Sequence, residues 1–148
     1  MAVTASGLFY PTFAAALNNT LALDLNLETH KVALFTNTIT PDFDADTAYG
    51  AAPYNANEVS GTGWAAGGVA LITTGVSNSP TGTLMWDADN VSETSTDLTD
   101  ARCALIYADA ATDEAIVLVD FTSDYSTVAG TFAITWDVLG IFTIDLTP

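Results

Sequence analysis

The C-terminal part of the chain places large apolar residues at every second position. Phe132, Ile134 and Trp136 are interleaved with Thr131, Ala133 and Thr135, and Phe142, Ile144 and Leu146 with Thr143 and Asp145. Successive side chains of a strand point to opposite faces, so each run offers one face to a core and the other to water. On a helix the same residues would scatter around the axis and bury no continuous stripe. Residues 137–140 join the two runs.

Earlier segments carry weaker versions of the same signal. Residues 31–35, 69–74 and 83–86 read as short strands, with a turn over 75–82 between the last two. Residues 101–108 and 114–122 flank the turn-rich stretch 109–113 and read as a hairpin. The polar stretch 37–63, with Pro41, Gly50 and Pro53, reads as a loop. A loop of that length in a compact domain usually serves function or an interface. About seven short strands with turns between them predict a mainly β fold, an antiparallel sandwich or small barrel. The 23 threonines agree, because a β-branched polar residue suits the wet face of a strand.

Only the beginning departs from this pattern. Phe9, Phe13, Leu17 and Leu21 recur every four residues, which predicts an N-terminal helical segment over 1–22 ahead of a β domain over 30–148. Ser6 is a candidate cap, which puts Pro11 in the first turn. The apolar face of this helix either packs on the domain's own sheet or docks as an arm on a neighbouring subunit. No repeat or linker divides the 148 residues, so a single domain over 1–148 is expected.

Charge excludes whole classes of partner. Eighteen acids face two fixed cations, Lys31 and Arg102, for a net charge of −16. Nucleic-acid affinity comes largely from Lys and Arg neutralising phosphates, so no nucleic-acid partner is expected. Anionic membrane surfaces are disfavoured for the same reason, and no stretch approaches the length of an apolar span. The start of the chain lacks the basic region of a secretory signal. The acidity reads either as a simple solubilising surface or as an exterior that resists non-specific adhesion.

Candidate chemistry is sparse. Gly61, Gly63 and Ala66 match a variant dinucleotide fingerprint in form, but no apolar strand precedes them and Gly67–Gly68 would break the helix that must follow. A tight backbone path set by glycines is the better account. Asp42, Asp44 and Asp46 begin like a calcium loop, yet Thr47 and Pro53 stand where an EF-hand needs Gly and Glu. A looser cation site there, or at Asp87 and Asp89, is the alternative to a solvated acidic loop; neither metal nor cofactor is expected. His30, the only histidine, reads as a surface residue at a strand entrance. With Cys103, read as a small buried hydrophobe, it is too little for a zinc site. No nucleophile elbow accompanies His30. So many acids make any chosen glycosidase-like pair uninformative. No enzymatic activity is expected.

Four stretches carry a resemblance. They are Leu25 to Leu34 after the helix; Asn57 to Gly68, with its run of glycines; the central pair Ala101 to Tyr107 and Ile116 to Phe121; and Gly130 to Trp136 with Gly140 to Phe142. Together they span nearly the whole chain and resemble a family of small virion proteins of tailed bacteriophages. The glycine stretch is the most distinctive of them. The resemblance implies a structural role in the virion, with the major capsid protein or other virion proteins as partners and a homo-oligomer as an option. Within it, capsid decoration is the preferred role, a tail or head–tail component the second, and a carbohydrate-binding or host-adhesion module a third. Depletion of lysine departs from the family pattern. Protein interfaces favour aromatic anchors, and Phe9, Tyr10, Phe13, Tyr49, Tyr54 and Trp64 are the candidate partner-contacting residues.

Overall fold

A computed structural model describes residues 2–27 and 29–147. The protein is mainly β with one short helix, as the alternation predicts. Nine strands occur among the described residues, in the order β1 (Gly7–Leu8), α1 (Tyr10–Leu17), β2 (His30–Phe35), β3 (Glu58–Val59), β4 (Val69–Ala70), β5 (Gly75–Asn78), β6 (Thr83–Asp87), β7 (Val91–Ala108), β8 (Glu114–Ile134) and β9 (Phe142–Asp145). All pairings are antiparallel. Six strands form one sheet in the order β1-β8-β7-β2-β3, with β4 also on β2, and β5-β6-β9 form a second.

The large sheet is covered on both faces. On β2, Val32 and Leu34 point into one core and Ala33 and Phe35 into another; on β7, Ala104 and Ile106 oppose Cys103, Leu105 and Tyr107 in the same way. The first core continues into the small sheet through Trp86 and Phe142, giving a sandwich-like packing. The second is covered by non-strand chain: Val3 and Phe9 from the N-terminal segment, Ile39 and Tyr54 from the long loop, and Phe43 and Tyr49 at its edge. Strands buried on both faces read as continuous apolar runs, which is why residues 101–108 and 114–119 show so little alternation. At Ile116 the ladder carries a bulge, pairing Ile106 with Val117 and Tyr107 with Ala115. The extra residue lets Ile116 and Val117 both enter the first core.

The helix is shorter than expected. It begins at Tyr10 with Phe9 as its N-cap, and Pro11 lies in its first turn, where a missing N–H is harmless. Ser6 is not the cap; its hydroxyl instead accepts a hydrogen bond from the Asp120 amide at 2.9 Å. The predicted stripe breaks at Leu17, which is 87% exposed. The N-terminal segment is nonetheless tied to its own domain. Phe9 donates its amide to the Ile116 carbonyl at 3.1 Å. The Thr12 hydroxyl donates to the Ala115 carbonyl at 2.6 Å, and Phe13 meets Phe142 edge-on at 5.8 Å.

Two other expectations are corrected, at 75–82 and at the central hairpin, and the link at 137–140 is as read from the sequence. Residues 75–78 are strand β5, and the turn is confined to 79–82. Residues 137–140 do form a turn, but the runs they join belong to different sheets: 131–134 lie in β8, while β9 pairs with β6. Finally, β7 and β8 extend far beyond the predicted hairpin, through the Ser-, Thr- and Asp-rich stretches 91–100 and 122–131.

Candidate interaction surface

The six aromatic candidates have different fates. Phe9, Tyr54 and Trp64 are fully buried in the domain's own cores. Phe13 is half-buried against Phe142. Tyr49 stacks on Tyr107 at 4.5 Å, with ring planes 9° apart. Only Tyr10, 66% exposed, is presented to the surroundings. The structure therefore brings most of this set inward, and the set forms no continuous surface.

Trp64 and Tyr49 explain the glycine-rich stretch. The chain leaves the edge of β2 after β3, turns at 61–64, and returns to the same edge as β4. The turn closes through paired Gly61 and Trp64 backbone bonds, with Gly61 N–H donating to Trp64 at 2.8 Å. A Cβ on Gly61 would collide with the Asp97 carbonyl of β7, and one on Gly68 with the Val32 carbonyl of β2. Gly63, Gly67 and Gly68 also have positive φ. Glu58 completes the clamp. It accepts hydrogen bonds from the Tyr49 hydroxyl at 2.8 Å and the Gly67 amide at 2.6 Å, and the Tyr107 hydroxyl donates to the Gly67 carbonyl at 2.7 Å. Burial, reinforced by Glu58, pushes the Tyr49 hydroxyl up to about 12.

The remaining candidate groups are engaged in structure. In the 42–46 turn, Asp46 accepts from the Asp42 amide at 2.8 Å and Asp42 from the Asp44 amide at 3.0 Å. No group of three or more His, Cys, Asp or Glu among the described residues is arranged to hold a metal ion. Cys103 is buried, as read from the sequence, and burial pushes its thiol up to about 12. His30 is 2% exposed and not a surface residue. It stands at the entrance of β2 on the same face as Val32 and Leu34, opposite Cys103. Its Nε2 lies 2.9 Å from the Asp24 carbonyl, which fixes the neutral tautomer with the proton on Nε2.

Burial is the main force lowering the His30 pKa from 6.5, opposed by the Asp24 carbonyl. Just below pH 6.5 the unfolded chain therefore takes up a proton that the folded chain refuses. The stability due to this residue is complete above that pH and is lost as pH falls. The single histidine ring resonance is expected to titrate below 6.5. An NMR midpoint at or above that value would show the ring to be hydrated.

Both fixed cations are neutralised. Lys31 pairs with Asp109 at 2.9 Å; Arg102 pairs with Asp120 at 2.9 Å and with Asp124 at 3.5 Å, while donating to the Val3 carbonyl at 3.3 Å. The other carboxylates among the described residues have no lysine or arginine partner.

One concave surface stands out beside this acidic exterior. The outer side of β8 is covered up to Asp120: by Thr47 and Tyr49 at residues 113–115, by β1 at Val117 and Leu118, and by Ser6 at Asp120. Beyond that point no strand among the described residues pairs with this side. Along the uncovered part runs a groove of about 730 Å³, between β8 of the large sheet and Gly140–Ile141 leading into β9 of the small one. Its lining includes Val119, Phe121, Phe132, Ile134 and Ile141, of which Phe132 and Ile134 are buried. Tyr125 and Trp136 are part of the wall, Tyr125 being 51% exposed. Trp136 is held by its ring N–H, which donates to the Asp89 carbonyl at 3.0 Å. Thr131, Thr135 and Asp137 supply the polar part. This volume falls in the range of ligand-binding clefts. An uncovered strand edge beside it offers backbone donors and acceptors to an incoming chain. The alternation at 131–136 marks residues 131–134 correctly as strand, which ends before Thr135 and Trp136, and does not show that the edge is open.

Comparison with known proteins finds no matching family model, no matching curated protein and no matching solved structure.

Proposed function

We propose that this chain is a non-enzymatic structural protein of a tailed-phage virion, and that it decorates the capsid by binding the outside of the major capsid lattice. The virion setting rests on the resemblance of the four stretches described above. The protein-binding role rests on one observation: the open edge of β8 with an apolar groove beside it. Natural proteins usually protect such an edge, and a partner protein protects it here. The acidic exterior supports the same reading, since it withholds affinity from nucleic acid and anionic lipid.

The test is co-sedimentation of purified protein with capsids lacking it, followed by imaging. Binding that follows the capsid lattice is expected. Labelling confined to tails would replace decoration with a tail role. A second reading has its own support, because the exposed ring of Tyr125, in the same groove wall as Trp136, is a surface on which a sugar could stack. Binding on a glycan array with no binding to particles would favour that adhesion role.

A further inference from the structure

We infer that the β8 groove receives an extended segment of a partner protein, a strand whose apolar side chains alternate with lysine or arginine. The inference rests on the protein-binding reading proposed above and names the chemistry of the partner at that site. Two independent features lead to it. The first is shape. Past Asp120 no strand among the described residues pairs with this edge of β8, and beyond Thr122, whose amide donates to the Asp120 carboxylate at 2.9 Å, an added strand would continue the sheet through main-chain hydrogen bonds. Side chains of a strand alternate, so every second residue of the newcomer would turn toward the apolar lining at Phe121, Phe132 and Ile141.

The second feature is charge. The chain carries −16, and its two cations are already paired, Arg102 beside this very edge with Asp120 and Asp124. Asp137, exposed and without a cationic partner among the described residues, belongs to the groove, which no lysine or arginine lines. An acidic strand would add to this uncompensated carboxylate and to the net charge of −16, whereas a basic one would supply counter-charge. The same argument counts against a second copy of this chain, which would bring its own acids to the same edge.

Synthetic peptides test this with the full-length protein. The probe alternates lysine and valine; the controls alternate glutamate with valine and lysine with serine. The lysine–valine peptide is expected to bind at least about tenfold more tightly than either control. Amide shifts should cluster in residues 121–137, and affinity should fall as salt rises. Ala133 is exposed in the groove wall, so Ala133→Lys should leave the melting temperature unchanged yet weaken binding at least about tenfold by like-charge repulsion. Equal binding of lysine–serine, or shifts spread over the whole acidic surface, would overturn the inference. So would a concentration-dependent dimer that Ala133→Lys dissociates, or sugar binding at the same residues without peptide binding. The two readings fail separately. If Ala133→Lys still decorates capsids at wild-type level, the groove assignment falls and decoration stands. If the peptide seats in the groove but capsids do not bind, decoration falls and the groove stands.

Discussion

Gly68→Ala should destabilise the protein by about 4 kcal/mol, while Gly50→Ala should cost only about 1–2 kcal/mol. Both glycines have positive φ, +77° and +83°. A left-handed conformation costs a non-glycine residue about 1–2 kcal/mol, and this is common to the two sites. They differ in surroundings. A Cβ at Gly50 meets nothing within 4 Å, whereas at Gly68 it overlaps the Val32 carbonyl and crowds the Ala33 amide. Those atoms belong to β2, fixed in register by β7 and buried on both faces, so they cannot move aside. Overpacking against a fixed core typically adds about 1–3 kcal/mol and occasionally more. Urea denaturation of the two variants measures the difference. Equal losses would mean that dihedral strain alone governs the glycine stretch and that the close approach to β2 is unimportant.

Removal of residues 2–21 should abolish cooperative folding. The segment carries Val3 and Phe9, both buried, with the Phe9 ring 5.3 Å from Phe43 and 5.9 Å from Tyr54. It also supplies β1 and the Thr12 hydroxyl, so its loss exposes one face of the large sheet and the backbone of β8 at 115–118. Phe9→Ala alone should cost about 3–5 kcal/mol, a large share of the roughly 5–15 kcal/mol by which such domains are stable. The read-out is the melting curve of the truncated chain and the denaturation midpoint of Phe9→Ala. A truncated protein that melts cooperatively near the wild-type temperature would make this segment a docking arm after all.

The sequence revealed those parts of the fold whose pattern is local. Residues 131–134 alternate, and they are strand, although the alternation continues to Trp136; residues 101–108 and 114–119 are apolar runs around a turn, and they are the central hairpin. The polar halves of β7 and β8 were hidden because their ladder is interrupted by repeated register shifts between Glu93 and Cys103. Each shift breaks the period on which recognition depends. Ser95, Asp100, Thr122 and Ala129 sit there at positive φ, and side chains such as Asp97, which accepts from the Ala129 amide at 2.7 Å, take over pairing from the backbone. Which strand lies beside which was equally hidden. The two C-terminal runs are neighbours in sequence, yet β9 is bonded to β6.

The candidate site was less legible than the fold. An aromatic residue serves a core and an interface by the same chemistry, so nothing in Phe9, Tyr54 or Trp64 as letters tells which surface it meets. Lys31 made His30 look exposed, but strand alternation turns adjacent residues to opposite sides. Lys31 reaches Asp109 at the surface, and His30 turns inward to Trp86, 5.5 Å away. The groove depends on where pairing along β8 stops, which is a property of the assembled sheet and not of any segment.

The continuity of β8 has a mechanical consequence. One uninterrupted strand begins among the doubly covered residues Ala115–Leu118 and ends along the open groove. A tether seated in that groove and pulled along the strand would load the β7–β8 ladder in shear, dividing the force among many hydrogen bonds at once. A pull across the strand would instead open the ladder bond by bond from its free end. Antiparallel hydrogen bonds lie perpendicular to the strands, so direction alone separates these two modes. A partner whose strand runs parallel or antiparallel to β8 would therefore grip the protein along its strongest axis.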